Sequence, residues 1–472
     1  MRILRRTVLK TLAAAPLLPL ITHKAAAAPR AVTLTAAPAK QRLVPDYPET
    51  EIWGFNGAVP GPELRFRQGE TARIIVENRL TEETTVHWHG LRVPNAMDGV
   101  PHLTQPPVAK GGRFVYEFPL PDAGTYWYHP HLRGHEQVAR GLYGAFIVEE
   151  REPIRVDRDV TWVLSDWQLM PDAQQRGDFD NLMEMAHAGR IGNTVTVNGK
   201  FTAADGTFAV RSGERIRLRL INAAVARIFL LRFPGHEPRV IACDGQAVEP
   251  HSAPADGLEL GPGMRVDLVL DCMQAPGSRH DINDDANPRR VQRVIALAYN
   301  DEAPLRSKPL DAPVLLAPNP LPEPDLARAV RHDILFQGGA MGTLREAELE
   351  GKRLPLSTLA RQHGLAWAIN GITVKEHAHA PLLTFKRGAS VVLAMNNETS
   401  WPHPIHLHGH VFRVIARDGR PTRYREWADT VLMGPRERVD IAFVADNPGD
   451  WMFHCHILAH QHGGMMTVFR VT

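Results

Sequence analysis

The chain has 472 residues, with 54 Lys and Arg against 52 Asp and Glu and a formal net charge of +2. That near-balance gives no electrostatic case for nucleic-acid binding. The length suggests about three domains, and 38 Pro with 37 Gly suit strands joined by turns.

The first segment pairs Arg5-Arg6 with an apolar run from Leu12 to Ile21 and an alanine stretch from Ala25 to Ala28. It resembles a twin-arginine export signal. This predicts residues 1–28 as a leader handled by the twin-arginine export machinery, cleaved near Ala27, with a periplasmic mature protein. The apolar run is too short to span a bilayer, so no stable membrane anchor is expected. The leader holds Arg2, Arg5, Arg6, Lys10 and Lys24, so the remainder is net negative.

Three weak repeats follow. Asn56-Gly57, Asn198-Gly199 and Asn370-Gly371 each open a unit. Each unit then carries a Gly followed nine residues later by an Asn: Gly69 and Asn78, Gly213 and Asn222, Gly388 and Asn397. Alternating runs such as Thr71-Ala72-Arg73-Ile74-Ile75-Val76 read as half-buried strands. The second and third units also share a late strand, Gly261-Pro262-Gly263-Met264-Arg265-Val266-Asp267 against Gly434-Pro435-Arg436-Glu437-Arg438-Val439-Asp440. The prediction is an all-β chain of three Greek-key β-sandwich or barrel domains, at 29–150, 151–318 and 319–472. The Pro-rich run from Ala312 to Leu326 reads as a linker between the second and third.

Histidine pairs fall in the first and third units only. Four of them are His87-Trp88-His89, His129-Pro130-His131, His406-Leu407-His408 and His454-Cys455-His456, with His403 just upstream of the third. In a strand, side chains at i and i+2 share a face, so each pair aims two imidazoles one way. Cys455 points opposite to its flanking histidines. With His460 and Met465 it offers a thiolate, an imidazole and a weak thioether, the donor set of a blue-copper electron-transfer site. One short strand could then serve two metal centres back to back.

At this point the chain resembles the multicopper oxidases, the family of laccases, bilirubin oxidase and cuprous oxidases, over essentially everything after the leader. The resemblance implies cupredoxin-like domains and four copper ions. It places the type 1 copper on His403, Cys455, His460 and axial Met465. It places the type 2 copper on His87 and His406, and the type 3 pair on His89, His129, His131, His408, His454 and His456. The middle domain, without ligand pairs, is expected to be chiefly a spacer. Single electrons would enter at type 1, pass through Cys455 to His454 and His456, and reduce O2 to water. Asp98, in Met97-Asp98-Gly99-Val100, matches a cluster-side acid of bacterial relatives and is expected to handle protons. A second acid of those relatives is replaced here by Gln461, which cannot ionise.

The reductant is less directly written. Thr399 and Trp401 stand where a cuprous oxidase would carry an acid and a Met, and the chain has no dense methionine run. The Trp401-Pro402-His403 order resembles bilirubin oxidase instead. Phenols and aromatic amines are therefore the expected reductants. Cu(I) is the alternative, and a non-catalytic periplasmic scaffold of the same fold is the second. Copper nitrite reductase lacks the type 3 pair that eight cluster histidines imply. Met183 and Met185 read as helix packing. Whether Cys243 and Cys272 pair is open in the sequence.

Overall fold

A computed structural model describes residues 31–287, 289–375, 377 and 380–472, so the leader reading lies outside the described residues. Strands dominate, and the helices are single turns such as Gly134–Gln137 and Leu458–His462. No described helix is long and apolar enough to cross a membrane.

Six sheets form three face-to-face pairs, spanning Ala31–Glu149, Arg158–Tyr299 and Val330–Val471. Each pair uses the same crossover. The opening strand of the first, Ala31–Gln41, runs parallel to Thr71–Asn78. Arg158–Trp167 runs parallel to Glu214–Asn222 in the second, and Val330–Gly338 to Ser390–Asn397 in the third. The opposite sheets hold a second parallel pair each, for example Gly61–Arg67 with Gly144–Glu149. Parallel neighbours cannot be joined by a hairpin, so the chain must cross between sheets, as a Greek key does. Each sandwich encloses its own apolar core, around Trp88, Leu218 and Trp451 respectively.

The sequence repeats have a shared structural cause. Asn56, Asn198 and Asn370 have φ of 55°, 49° and 51°, and a positive-φ glycine follows each. Asn tolerates this left-handed region because its short amide can bond locally. Each Asn amide also reaches back to the opening strand of its sandwich, bonding Thr33 and Thr35, Thr161 and Val163, or Asp333 and Leu335. The second set works differently. Asn78, Asn222 and Asn397 are fully buried. Each donates to two backbone carbonyls and accepts the N–H two residues on, pinning the loop after its strand.

The Pro-rich run is tied down along its length. Val314 and Leu316 pack on Ile241 and Val269 of the middle sandwich. Asn319 then bonds Ala123 of the first sandwich through both ends of its amide, and Gln246 of the second. Cys243 and Cys272 are free thiols.

Candidate metal centres

The histidine strands face each other across the contact between the first and third sandwiches. His87–His89 lies at a sheet edge, paired among the described residues with Gly124–His129 alone, with His87 opposite His129. In the third sandwich, His403–Leu407 is paired with Gly449–Cys455, with His406 opposite His454 and Ile405 opposite Cys455. All the paired histidines are at most 2% exposed.

Donor atoms gather into groups, each within 4.8 Å, that include His87, His89 and His406; His89, His129 and His456; His131, His408 and His454; and His403, Cys455 and His460, the first two sharing His89. Hydrogen bonding fixes which ring nitrogen of most histidines is free. A carbonyl only accepts, so a ring nitrogen bonded to one must carry the proton, leaving the other with a lone pair. His87 Nδ1 donates to the Asp98 carbonyl at 2.8 Å and His406 Nδ1 to the Asp429 carbonyl at 2.8 Å. His129 Nδ1 donates to the Pro130 carbonyl at 2.9 Å. Nε2 of each of these three is buried with no hydrogen-bond partner, as are Nε2 of His131, Nδ1 of His89 and both ring nitrogens of His456.

His408 and His454 make the case sharper. His408 Nδ1 donates to Asp98 Oδ2 and His454 Nδ1 to the Cys455 carbonyl, both at 2.9 Å. Their Nε2 lone pairs therefore face each other at 3.0 Å. Two lone pairs so close repel unless a cation is held beside them. Unpaired buried acceptors cost about 1–3 kcal/mol each, and a set aimed at one space is the signature of an ion-binding cage. Burial pushes His89, His129, His131, His408, His454 and His456 well below the usual histidine range, which keeps their rings neutral.

The cysteine site repeats the logic. Cys455 Sγ lies 3.4 Å from His403 Nδ1 and 3.7 Å from His460 Nδ1, and the two Nδ1 atoms are 3.1 Å apart. His460 Nε2 donates to the His187 carbonyl at 2.7 Å. His403 Nε2 lies 2.8 Å from the Thr399 hydroxyl, whose own proton is directed to Asn397 or Trp401. Both Nδ1 lone pairs therefore turn toward the sulfur. Met465 is fully buried in the same core cluster as Cys455. Trp367 walls the site, its ring 5.0 Å from that of His403 and 4.3 Å from that of His460. Burial pushes the Cys455 thiol far up, so without a cation it stays protonated.

Several residues escaped the sequence reading. Asp429 accepts from His89 Nε2 at 3.1 Å and is clamped by Arg265 at 2.7 and 2.6 Å. Burial alone would raise its pKa, but Arg265 outweighs this and holds it ionised. Arg265 comes from the middle sandwich, and so does Gly263 (φ 85°), where a Cβ would press on His456 and His89 at 2.9–3.0 Å. Gly90, which ends the His87-Trp88-His89-Gly90 motif, has φ 85° and lies against the Arg265–Asp429 pair, where a Cβ would fall 2.2 Å from Arg265 and 2.5 Å from Asp429. The middle sandwich is thus more than a spacer. Arg265 did lie in the late strand shared by units two and three; Asp429 had no periodic signal.

Asp98 is fully buried, touching His87 at 3.2 Å as well as His408. The Asp98-Gly99 turn is also structural, since a Cβ on Gly99 would strike the Val86 carbonyl at 1.8 Å. Gln461 is buried with Nε2 3.5 Å from His131 Nδ1. Met185 packs at 3% exposure, as helix packing predicts, but Met183 is 67% exposed.

A cysteine flanked by two imidazoles, with Met465 buried in the same core, is joined through one strand to an imidazole cage and offers soft donors that suit copper. This arrangement defines a class of copper-dependent electron-transfer enzymes. Sequence profiles described as multicopper oxidase match residues 37–153, 158–300 and 353–472. The multicopper oxidase MmcO of Mycobacterium tuberculosis (strain ATCC 25618 / H37Rv) is 31% identical, over 93% of this chain and 86% of that one. A copper resistance protein A homolog of Pseudomonas syringae pv. tomato (strain ATCC BAA-871 / DC3000) is 27% identical over 88% of each. The crystal structure of a multi-copper oxidase from Pseudomonas Thermotolerans superposes with a TM-score of 0.81 at 34% identity, covering 94% of this chain and 99% of that one. The chain belongs to the multicopper oxidase family and is a copper-dependent oxidoreductase.

Proposed function

We propose a laccase-like oxidase, exported to the periplasm by a twin-arginine signal, that takes single electrons from phenols or aromatic amines. His403, Cys455, His460 and Met465 hold the type 1 copper; His87 and His406 hold type 2; His89, His129 and His456 hold one type 3 ion, and His131, His408 and His454 the other. When bound, the four coppers accept one electron at a time and deliver four to O2, giving two waters.

The observation that carries this is the strand Gly449–Cys455. Its cysteine faces His403 and His460, and its neighbours His454 and His456 face the cage. The cysteine site thus connects to the cage covalently. The His454-to-Cys455 carbonyl hydrogen bond adds a second, shorter link. Asp98 orients His408 and sits where protons must reach the cage.

Cu(I) is the second reading, because exposed Met183 lies on the helix leading to His187, whose carbonyl bonds His460. A relative's name, copper resistance protein A homolog, points the same way. Oxygen uptake by copper-loaded protein separates the two. Turnover on 2,6-dimethoxyphenol without added copper supports the laccase reading. Fast uptake on chelated Cu(I), with phenol oxidised only when extra Cu(II) is present, replaces it with a cuprous oxidase.

A further inference from the structure

A cleft of about 670 Å³ lies between the middle and third sandwiches. Its wall includes Pro402, the residue before His403, and Ile457, the residue after His456. It also includes Ala188, which follows the His187 carbonyl that accepts from His460 Nε2 at 2.7 Å. The cleft thus reaches the backbone that touches the edge of His460. Gly189 allows this approach, since with φ 81° its Cβ would meet Ile457 at 2.6 Å and Ala226 at 2.7 Å.

The lining has one sign of charge. Arg176, Arg227 and Arg290 contribute, and no Asp or Glu does. Two of the three are already answered. Arg227 bonds Asp166 at 3.0 Å and Asp284 at 3.1 Å. Arg176 pairs with Asp178. Arg290 is exposed and, among the described residues, makes no salt bridge. The rest of the wall mixes the apolar Leu169, Ile191, Ile228, Pro402 and Ile457 with the amides of Gln168, Asn193, Asn287 and Gln292. An apolar face for a ring, amides for its polar substituents and one unpaired cation together suit an aromatic ring that bears an anion.

We propose that this cleft binds aromatic reductants carrying a carboxylate, with Arg290 as the specificity residue. The inference rests on the aryl-reductant reading and narrows it. The carboxylate pairs with Arg290 while the ring lies on the Pro402–Ile457 wall. The phenolic group gives up one electron toward His460, across the His187 carbonyl, and its proton to solvent. It leaves as a phenoxyl radical. Four such oxidations, with four protons taken up, match the reduction of one O2 to two waters.

The test compares syringate with 2,6-dimethoxyphenol, the same ring with and without the carboxylate. In copper-loaded Arg290→Gln protein, KM for syringate should rise about two- to fivefold, the range of an exposed ion pair, with KM for 2,6-dimethoxyphenol unchanged. Arg290→Lys should restore most of the loss, and Arg289→Gln, outside the cleft, should have no effect. Calorimetry with 3,4,5-trimethoxybenzoate, which has no phenol to oxidise, should show the same weakening without turnover, and added salt should erase the difference. Equal effects of Arg290→Gln on both phenols, or unchanged trimethoxybenzoate binding, would overturn the proposal while leaving the laccase reading intact. Failure of wild-type protein to oxidise either phenol would remove the reading beneath it.

Discussion

Copper-free protein should lose stability as soon as the pH falls below about 6.5, and copper should delay the loss. Nine site histidines have pKa values pushed down mainly by burial: His89, His129, His131, His403, His406, His408, His454, His456 and His460. Their unfolded reference is 6.5. Below it the unfolded chain binds a proton on each, while the folded chain does not. The stability they contribute is therefore complete above 6.5 and is lost as pH falls toward the folded values. At pH 5.5 one such histidine costs about 1.4 kcal/mol. Nine acting together set a ceiling of about 13 kcal/mol, which is comparable to the roughly 5–15 kcal/mol that holds a typical protein folded.

Copper competes with protons for the same lone pairs, so loaded protein should hold to lower pH. The assay is urea unfolding followed by tryptophan fluorescence at pH 7.5 and 5.5, with and without copper. The copper-free midpoint should collapse at pH 5.5, and the loaded midpoint should move far less. A copper-free shift worth less than about 1.4 kcal/mol, the value of a single histidine, would refute the reasoning. It would mean that the cage accepts protons without opening.

Three substitutions test the site itself. Asp98→Asn should slow O2 reduction about a hundredfold, in the range of a lost proton-transfer group, while reduction of the cysteine site stays fast. Stopped-flow bleaching and recovery of the blue absorption separate those steps, and slowing of neither would refute the role. Arg265→Met leaves Asp429 and Asp244 buried without their shared cation, and should cost about 3–5 kcal/mol. A loss below about 1 kcal/mol in denaturant unfolding would show the Arg265 clamp to be dispensable. Cys455→Ser should remove the blue absorption and oxidase turnover together, while metal analysis still finds copper in the cage; retained turnover would sink the Cys455 route.

The parts of this protein that were legible in its sequence are those fixed by short-range periodicity. The two-residue repeat of a strand put His87 with His89 and set Cys455 against His454 and His456. The Asn-Gly pairs marked the three sandwiches because a left-handed turn admits few residues. What stayed hidden depends on contacts between sandwiches. Asp429 looked like any acid before a threonine, and its partner Arg265 lies 164 positions away. The hydrogen bond from His460 ends on a backbone carbonyl at His187, which no side chain advertises. Thr399 was read for what it lacks, an acid, whereas its hydroxyl lies against His403 Nε2.

The middle sandwich takes part in shaping the cage. Were it only a spacer, its surface at the cage could be any apolar wall. Instead it brings a glycine against His456 and His89, and an arginine that fixes the charge of Asp429. Asp429 in turn accepts from His89 and, through its backbone carbonyl, from His406. Two cage histidines therefore take their proton positions from a residue whose charge the middle sandwich controls. Asp244, also from that sandwich, accepts from the backbone N–H groups of Asp429 and Thr430, so the strand carrying Asp429 is held from the same side. On the far side of the cage, Asp98 performs the matching task for His87 and His408. The cage is oriented from two sides by two buried carboxylates; Asp98 was expected because it matches a cluster-side acid of bacterial relatives, whereas nothing in the sequence marked Asp429.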